Sequence, residues 1–251
     1  MLLRRITEHV RKQNWFAVAL DLIVVVVGIY IGLQADAWMS TKQDRRLEVE
    51  YLERLISDIE ESIVAQQNNI QTFDEGSAAI DYIAQLQRSG ATDSIDDERL
   101  ILALNNIGWV APPTTNMITI RELQSTGNIS LIRDVSVRAA IGQFERSYAS
   151  ATFSASQNLG FMSAAAPEVM TWSFMAPNVP GEHKSVTESE DDSYGYFHQP
   201  DIDRMLRNPD AAKITSWISG WSKYHGAVLM QHHRDTIVFR DLLVEELSEL
   251  K

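Results

Sequence analysis

The sequence predicts an all-α protein, in which an N-terminal transmembrane helix continues into a long antiparallel helical bundle. Three observations predict this fold class. Residues 15–38 form one long apolar run. Most of the remaining chain has apolar residues every three or four positions, the spacing of amphipathic helices. No segment shows the clear alternation of apolar and polar residues that marks a half-buried strand.

The apolar run is predicted to be an uncleaved membrane anchor. As a helix, residues 15–38 would be about 36 Å long, enough to cross a hydrocarbon core of roughly 30 Å. Trp15 and Trp38 bracket the run, as interfacial aromatic residues do. The run also resembles a secretory signal, and residues 35–37 (Ala-Asp-Ala) would offer a cleavage site. However, the apolar core of a signal is about 7–15 residues long, shorter than this run.

The basic residues around the anchor predict its orientation. Residues 1–14 carry four Lys or Arg residues, whereas the fifteen residues after Trp38 carry three. The more basic side of a span is retained in the cytoplasm. We therefore expect a single-pass protein of the bacterial inner membrane, with residues 1–14 as a cytoplasmic head and residues 40–251 in the periplasm.

One face of the anchor carries small residues and a carboxylate. At about 100° per residue, Asp21, Val25, Gly28, Gly32 and Ala35 fall on one stripe. Glycines four apart let another helix approach closely, and a carboxylate inside the membrane usually faces a partner. We predict that this stripe contacts a membrane-protein partner or a second copy of the chain. The alternative is an Asp that reaches the headgroups beside two incidental glycines.

Residues 40–251 are predicted to form one acidic, all-helical domain. The net charge of −12 makes nucleic acid an unsuitable partner for this domain. The chain has no Cys, so it contains no disulfide, thiolate metal site or lipidated Cys. Helical periodicity begins near residue 52, either continuous with the anchor or restarted at a cap near residue 40, and Gly76 with Ser77 would allow a break in it.

Capping and turn residues divide the rest of the domain. Ser94 to Asp97 is a capping-box pattern before a helix that extends toward residue 107. Further helices are expected from Met117 to Thr126, from residue 135 after Asp134 to residue 166, and from residues 208–209 (Asn-Pro) to residue 250. Residues 177–200 are rich in Pro, Ser and acidic residues and are predicted to be a long loop.

Three segments of the chain carry a family resemblance. They are residues 21–38, with Val-Val-Gly-Ile-Tyr-Ile at 26–31, residues 47–55, and residues 120–134. These segments resemble a bacterial family of single-pass membrane proteins with a domain of unknown function. Members often have Glu where this chain has Asp21, and Asn where it has Asp36. The resemblance implies an all-helical inner-membrane protein, and it implies no activity and no catalytic residue.

We expect no enzymatic activity, no cofactor and no metal site, because the chain shows no catalytic or metal-binding motif. His225, His232 and His233 lie near Asp235 on the last predicted helix, but their spacing favours a polar helix surface. The acidic run at residues 188–192 lacks the pattern of a calcium loop. Residues 125–128 (Ser-Thr-Gly-Asn) are expected to end a helix and not to hold a nucleophile.

A set of aromatic and Met residues has two interpretations. Such residues at helical spacing usually belong to the core, and the alternative is that they line a ligand pocket. The set consists of Trp109, Met162, Met170, Trp172, Phe174, Met175, Trp217 and Trp221.

Two functions follow from these observations. The first is a non-enzymatic accessory or scaffold subunit of the inner membrane, which associates with a partner through its anchor and helical body. The second is an extracytoplasmic ligand-binding or sensory bundle. Because a head of fourteen residues is too short for an output domain, such a bundle would work with a separate output protein.

Overall fold

In this computed structural model, the described residues are 15–90, 95–107, 109–169, 171, 173–177, 196–201, 204–205, 208 and 210–251. The described helices are α1 (Trp15–Ser89), α2 (Asp97–Asn106), α3 (Ile118–Ser125), α4 (Val135–Val169) and α5 (Ala211–Leu250). A 3-10 turn, Asn128–Leu131, lies between α3 and α4. The predicted all-α fold class is confirmed. The chain divides into two compact units, Met1–Tyr51 and Leu52–Lys251.

Helix α1 is continuous from Trp15 to Ser89, so the break that Gly76 would allow does not occur. Gly76 is instead a packing position, because the end of α2 lies against it. A Cβ atom at this position would lie 2.5 Å from Oδ1 of Asn106 and 2.9 Å from its Cβ. The glycine therefore permits the close approach of two helices and leaves the helical backbone intact.

A short antiparallel β-pair, β1 (Ser173–Pro177) with β2 (Tyr196–Pro200), was not predicted from the sequence. Ser173 pairs with Pro200 and Pro177 with Tyr196, so the predicted loop at 177–200 has paired ends. Each strand has five residues and ends at a Pro, which cannot continue a ladder of hydrogen bonds. Segments this short carry no usable alternation of apolar and polar residues. The acidic run at 188–192 lies outside the described residues.

The helix starts agree with the sequence in part. The Asp134 carboxylate accepts from the Val137 amide at 2.8 Å, as expected for a helix start. The α2 cap is Asp96, which accepts from the Arg99 amide at 3.0 Å, while Ser94 lies outside the described residues. Helix α5 begins at Ala211, later than predicted, because Asn208 instead forms a turn in which its carbonyl accepts from the Ala211 amide at 3.3 Å.

Helix α5 runs antiparallel to α4 and to the 52–89 part of α1. On α4, Ser147 and Ser154 contact His232 and His225, so residue numbers rise on one helix as they fall on the other. The same reversal relates α1 to α5. The contacting pairs are Gln66 with His233, Phe73 with His225, and Asp81 with Ser219. These three long helices form the frame of the second unit.

Two of the clusters of buried apolar residues in the described part of the chain lie within this frame. The larger one joins residues 79–86 of α1 to α2, the end of α4 and the start of α5, and its members include Ile83, Leu100, Leu104, Met162 and Ile218. The smaller one contains Phe73, Ala111 and Leu229. Between α1 and α3, Asp58 accepts from the Thr119 amide at 3.0 Å, which fixes the start of α3 against the long helix.

Candidate functional site

All five residues of the predicted stripe on the anchor are exposed. Every described side chain from residue 19 to residue 43 is exposed, and these include Asp21 and Val25. Within the described part of the chain, a Cβ atom added at Gly28 or at Gly32 would meet no atom within 4 Å beyond the adjoining backbone of its own helix. By length and composition, α1 is the one described helix that could cross a membrane. Ala35 lies on the same exposed stretch.

His225 is completely buried between α1, α4 and the segment before α3. Its Nε2 lies 2.8 Å from the Ala111 carbonyl oxygen, and its Nδ1 lies 3.0 Å from Ser154 Oγ. A carbonyl can only accept, so Nε2 carries the proton and Nδ1 accepts from the Ser154 hydroxyl. Burial lowers the pKa of His225, while the bond to Ala111 acts in the opposite direction. The rings of His225 and Phe73 also meet at nearly a right angle, with 5.4 Å between their centroids.

His232 lies seven residues further along α5 and is also buried. Its hydrogen bonds require the proton on Nδ1, whereas those of His225 require it on Nε2. Its Nδ1 lies 3.0 Å from Ser147 Oγ, and Ser147 donates its single proton to the Asp235 carboxylate at 2.6 Å. His232 must therefore donate from Nδ1, which leaves Nε2 to accept from the Thr115 hydroxyl at 2.9 Å. Burial lowers the pKa of His232 to about 4, even though Asp235 raises it, so the ring is neutral near pH 7.

The His232 contacts belong to a longer hydrogen-bonded chain. Gln66 on α1 donates to Thr115 at 3.1 Å, and its other amide atom, Oε1, lies 3.2 Å from Nδ1 of His233. At the opposite end, Gln231 donates to Asp235 at 2.8 Å. The chain links α1, the segment before α3, α5 and α4, and each hydroxyl in it both donates and accepts. We call it the His232 chain.

The His232 chain does not have the directions of bonds that nucleophilic catalysis requires. A serine nucleophile gives its proton to a histidine base, which a carboxylate then orients. Here the Ser147 hydroxyl donates its hydrogen bond to the Asp235 carboxylate, and His232 Nδ1 donates to Ser147. A histidine with a pKa of about 4 is also a weak base. Across the described ranges, no group of three His, Asp or Glu side chains could hold a metal ion.

The prediction that these histidines lie on a polar helix surface is wrong for His225 and His232, both of which are buried. A signal in the sequence could have revealed this. Ser147 and Ser154 are seven residues apart on α4, as are the two histidines on α5. On antiparallel helices this matched spacing places two Ser–His pairs in register, which gives each buried imidazole a partner.

An open aromatic groove lies between α4 and α5 and has a volume of about 720 Å³. Phe161 and Trp221 stack at 4.0 Å between ring centroids, and Trp217 is 66% exposed. The lining residues are Ser150, Phe153, Ser154, Gln157, Phe161, Ser216, Trp217, Gly220, Trp221 and Tyr224. We call this the aromatic groove. Its size and composition fall within the ranges of small-molecule sites.

Only part of the predicted aromatic set lines this groove. Trp217 and Trp221 do, whereas Met162 is buried in the larger core cluster and Trp109 packs near Phe73. Nothing is described for Met170 and Trp172, or for the side chains of Phe174 and Met175. Three further aromatic residues line the groove, and the sequence did not predict them to line a pocket. They are Phe153, Phe161 and Tyr224.

A second, smaller groove of about 290 Å³ continues from the aromatic groove. The two share Ser150 and Tyr224 in their linings. The remaining lining residues of the smaller groove are Ser147, Ala227, Val228, Gln231, His232 and Asp235. We call it the acidic groove, because it reaches the carboxylate at the end of the His232 chain.

Residues 125–128 end α3, as predicted. The hydroxyls of Ser125 and Thr126 both donate to the Glu122 carbonyl, at 3.2 and 2.7 Å. Gly127 then adopts a φ of 76°, the left-handed conformation that closes many helices.

Comparisons of the chain with protein-family models, curated proteins and solved structures found no match. The family resemblance of residues 21–38, 47–55 and 120–134 therefore stays a prediction.

Proposed function

We propose that this protein is a non-enzymatic accessory or scaffold subunit of the bacterial inner membrane, which associates with a membrane partner through its anchor and helical body. The observation that carries the proposal is the uncovered apolar stretch of α1, where side chains such as Ile23, Val27 and Ile31 are about half exposed or more. So much exposed apolar surface is stable in lipid and not in water.

The anchor stripe is the proposed contact with the partner. A carboxylate in the membrane costs roughly 2.5–3.5 kcal/mol at mid-bilayer, and a polar partner reduces this cost. Asp21 shares its face with Gly28 and Gly32, and among the described residues no atom of another element lies within 4 Å of a Cβ atom added at either glycine. Anchoring in lipid would require neither the carboxylate nor the glycines. The bond directions in the His232 chain support a structural and not a catalytic role for the body.

The test is co-purification of full-length protein from native membranes in mild detergent. Asp21→Leu and Gly28→Leu should each reduce the recovery of the partner, identified by mass spectrometry, or of a differently tagged second copy. Tyr30→Leu is the matched control, because Tyr30 lies on the opposite side of the helix from Asp21. Unchanged association in both stripe variants would rule out this contact.

A second candidate function is ligand binding by the extracytoplasmic body, which the aromatic groove favours. The groove exposes apolar rings beside a few serine hydroxyls, the usual composition of a ligand site. A ligand that binds only the folded body raises the unfolding midpoint. A thermal-shift screen of metabolites against the full-length protein should give reproducible stabilisation, and no response across the collection would count against this role.

A further inference from the structure

The aromatic groove and the acidic groove form one elongated site along α5. They share Ser150 and Tyr224, so no residue separates them. From Trp217 to Asp235 the joined groove follows α5 for about 27 Å, at 1.5 Å per residue. A compact ligand would occupy only one part of it. A long, thin molecule would contact both.

The two ends of the joined groove differ in chemistry. At one end the lining is aromatic, with Phe153, Trp217 and Trp221 and no ionised side chain. At the other end is Asp235, the single ionised group in the described lining of either groove, since the neutral His232 ring is its neighbour. The Asp235 carboxylate accepts hydrogen bonds from two neutral donors, the Ser147 hydroxyl and the Gln231 amide. Its negative charge is thus available to a cation.

We propose that the joined groove binds a single-chain amphiphile with a cationic amine head, with the head at Asp235 and the apolar chain along Tyr224 to Trp217. The charge of the protein distinguishes between the candidate ligands. The chain carries a net charge of −12, which favours a cation over an anionic amphiphile and over a second acidic copy of this protein. The inference deepens the proposed ligand-binding role and rests on it.

Gly220 supplies a sharp test because it lines the aromatic groove and a Cβ atom there would meet no side chain of the described residues within 4 Å. Gly220→Phe should therefore fold and fill the groove, while Gly220→Ala gives the same helix a side chain that leaves most of the groove open. Asp235→Asn removes the charge and keeps an oxygen that accepts hydrogen bonds.

The experiment measures the unfolding midpoint of the full-length protein in lipid nanodiscs. The probes are dodecyltrimethylammonium, dodecanol and dodecyl sulfate, each below the concentration at which it forms micelles. Partition into the lipid is the same for every variant, so differences between variants report the groove. When each probe is compared at its free concentration in water, the ammonium probe should bind the parent about tenfold more tightly than dodecanol, as one charge-assisted interaction allows, and dodecyl sulfate should bind more weakly than either.

The variants separate the inference from the function on which it rests. In Asp235→Asn, the affinities for the ammonium probe and for dodecanol should lie within about twofold of each other. Gly220→Phe should lower both affinities at least about tenfold. Gly220→Ala should leave both affinities unchanged. If all three probes bind the parent equally and Gly220→Phe removes them, the groove binds ligands but the cationic head is wrong. If no probe shows a difference between the parent and Gly220→Phe, the inference is overturned together with this site for the ligand-binding role. If Gly220→Phe dissociates an oligomer and leaves the probes unaffected, the groove is a protein interface.

Discussion

Lowering the pH from 7 to 5 should destabilise the folded body through His232. Burial lowers the pKa of this residue to about 4, whereas an unfolded chain has a histidine pKa of about 6.5. The unfolded state then binds the proton more tightly. The stability contributed by the neutral ring is complete above pH 6.5 and is lost as the pH falls toward 4. Linkage between these two values gives a loss of about 2 kcal/mol between pH 7 and pH 5.

The loss is measurable by urea unfolding of the full-length protein in lipid nanodiscs, followed by circular dichroism at both pH values. His232→Gln removes the titrating ring and should cost about 1–3 kcal/mol at pH 7, since buried hydrogen-bonding groups on Thr115 and Ser147 lose a partner. At pH 5 the gap between the parent and this variant should be smaller by about 2 kcal/mol. The other titrating groups change the stability of the parent and of the variant equally, so they cancel in this difference.

His233→Gln is the matched control, with the same chemical change one residue away. Its ring is only partly buried, and burial lowers its pKa, with Arg234 acting in the same direction. The gap between the parent and His233→Gln should therefore change less with pH. A gap between the parent and His232→Gln that stays constant from pH 7 to pH 5 would refute the assignment of a neutral, buried His232.

Three further outcomes are expected. Nitrogen-15 NMR of labelled histidines should show His225 protonated on Nε2 and His232 on Nδ1, and the same tautomer at both positions would contradict the directions of their hydrogen bonds. Ser154→Ala should lower the free energy of unfolding by about 1–3 kcal/mol, because it leaves a buried imidazole nitrogen without a donor, whereas the exposed Ser150→Ala should change it little. Gly76→Ala should destabilise the body in urea titrations despite its better helix propensity, since its methyl group would displace an α2 side chain; a stabilised variant would show that the approach is less close.

The sequence predicts the helices because local signals determine them. Apolar spacing identifies α1, α4 and α5, and a cap such as Asp134 starts α4 through its own backbone contact. The end of α3 at Gly127 is predicted for the same reason, since a left-handed φ of 76° favours glycine. The bounds of these elements depend on residues within a few positions of one another.

What the sequence does not predict depends on contacts between distant residues. Glycine has a low helix propensity, and only the approach of Asn106, thirty residues later at the end of α2, makes Gly76 a packing position. The burial of His225 needs Ser154 and the Ala111 carbonyl, which lie far away along the chain. Without these partners a buried imidazole would cost free energy, and so the local sequence favours a surface position.

The buried polar groups of the body have a structural role, which leaves the aromatic groove as the better candidate for a functional surface. Each hydroxyl of the His232 chain, such as that of Thr115, is already engaged between two partners, and the chain joins α1 to both helices that form the groove. A satisfied network of this kind fixes the register of helices, because a slip would leave buried donors and acceptors unpaired. Trp217 differs from these buried hydroxyls, because it is 66% exposed and lies on a helix whose position the network fixes. A rigid frame lowers the entropy lost when a ligand is bound there.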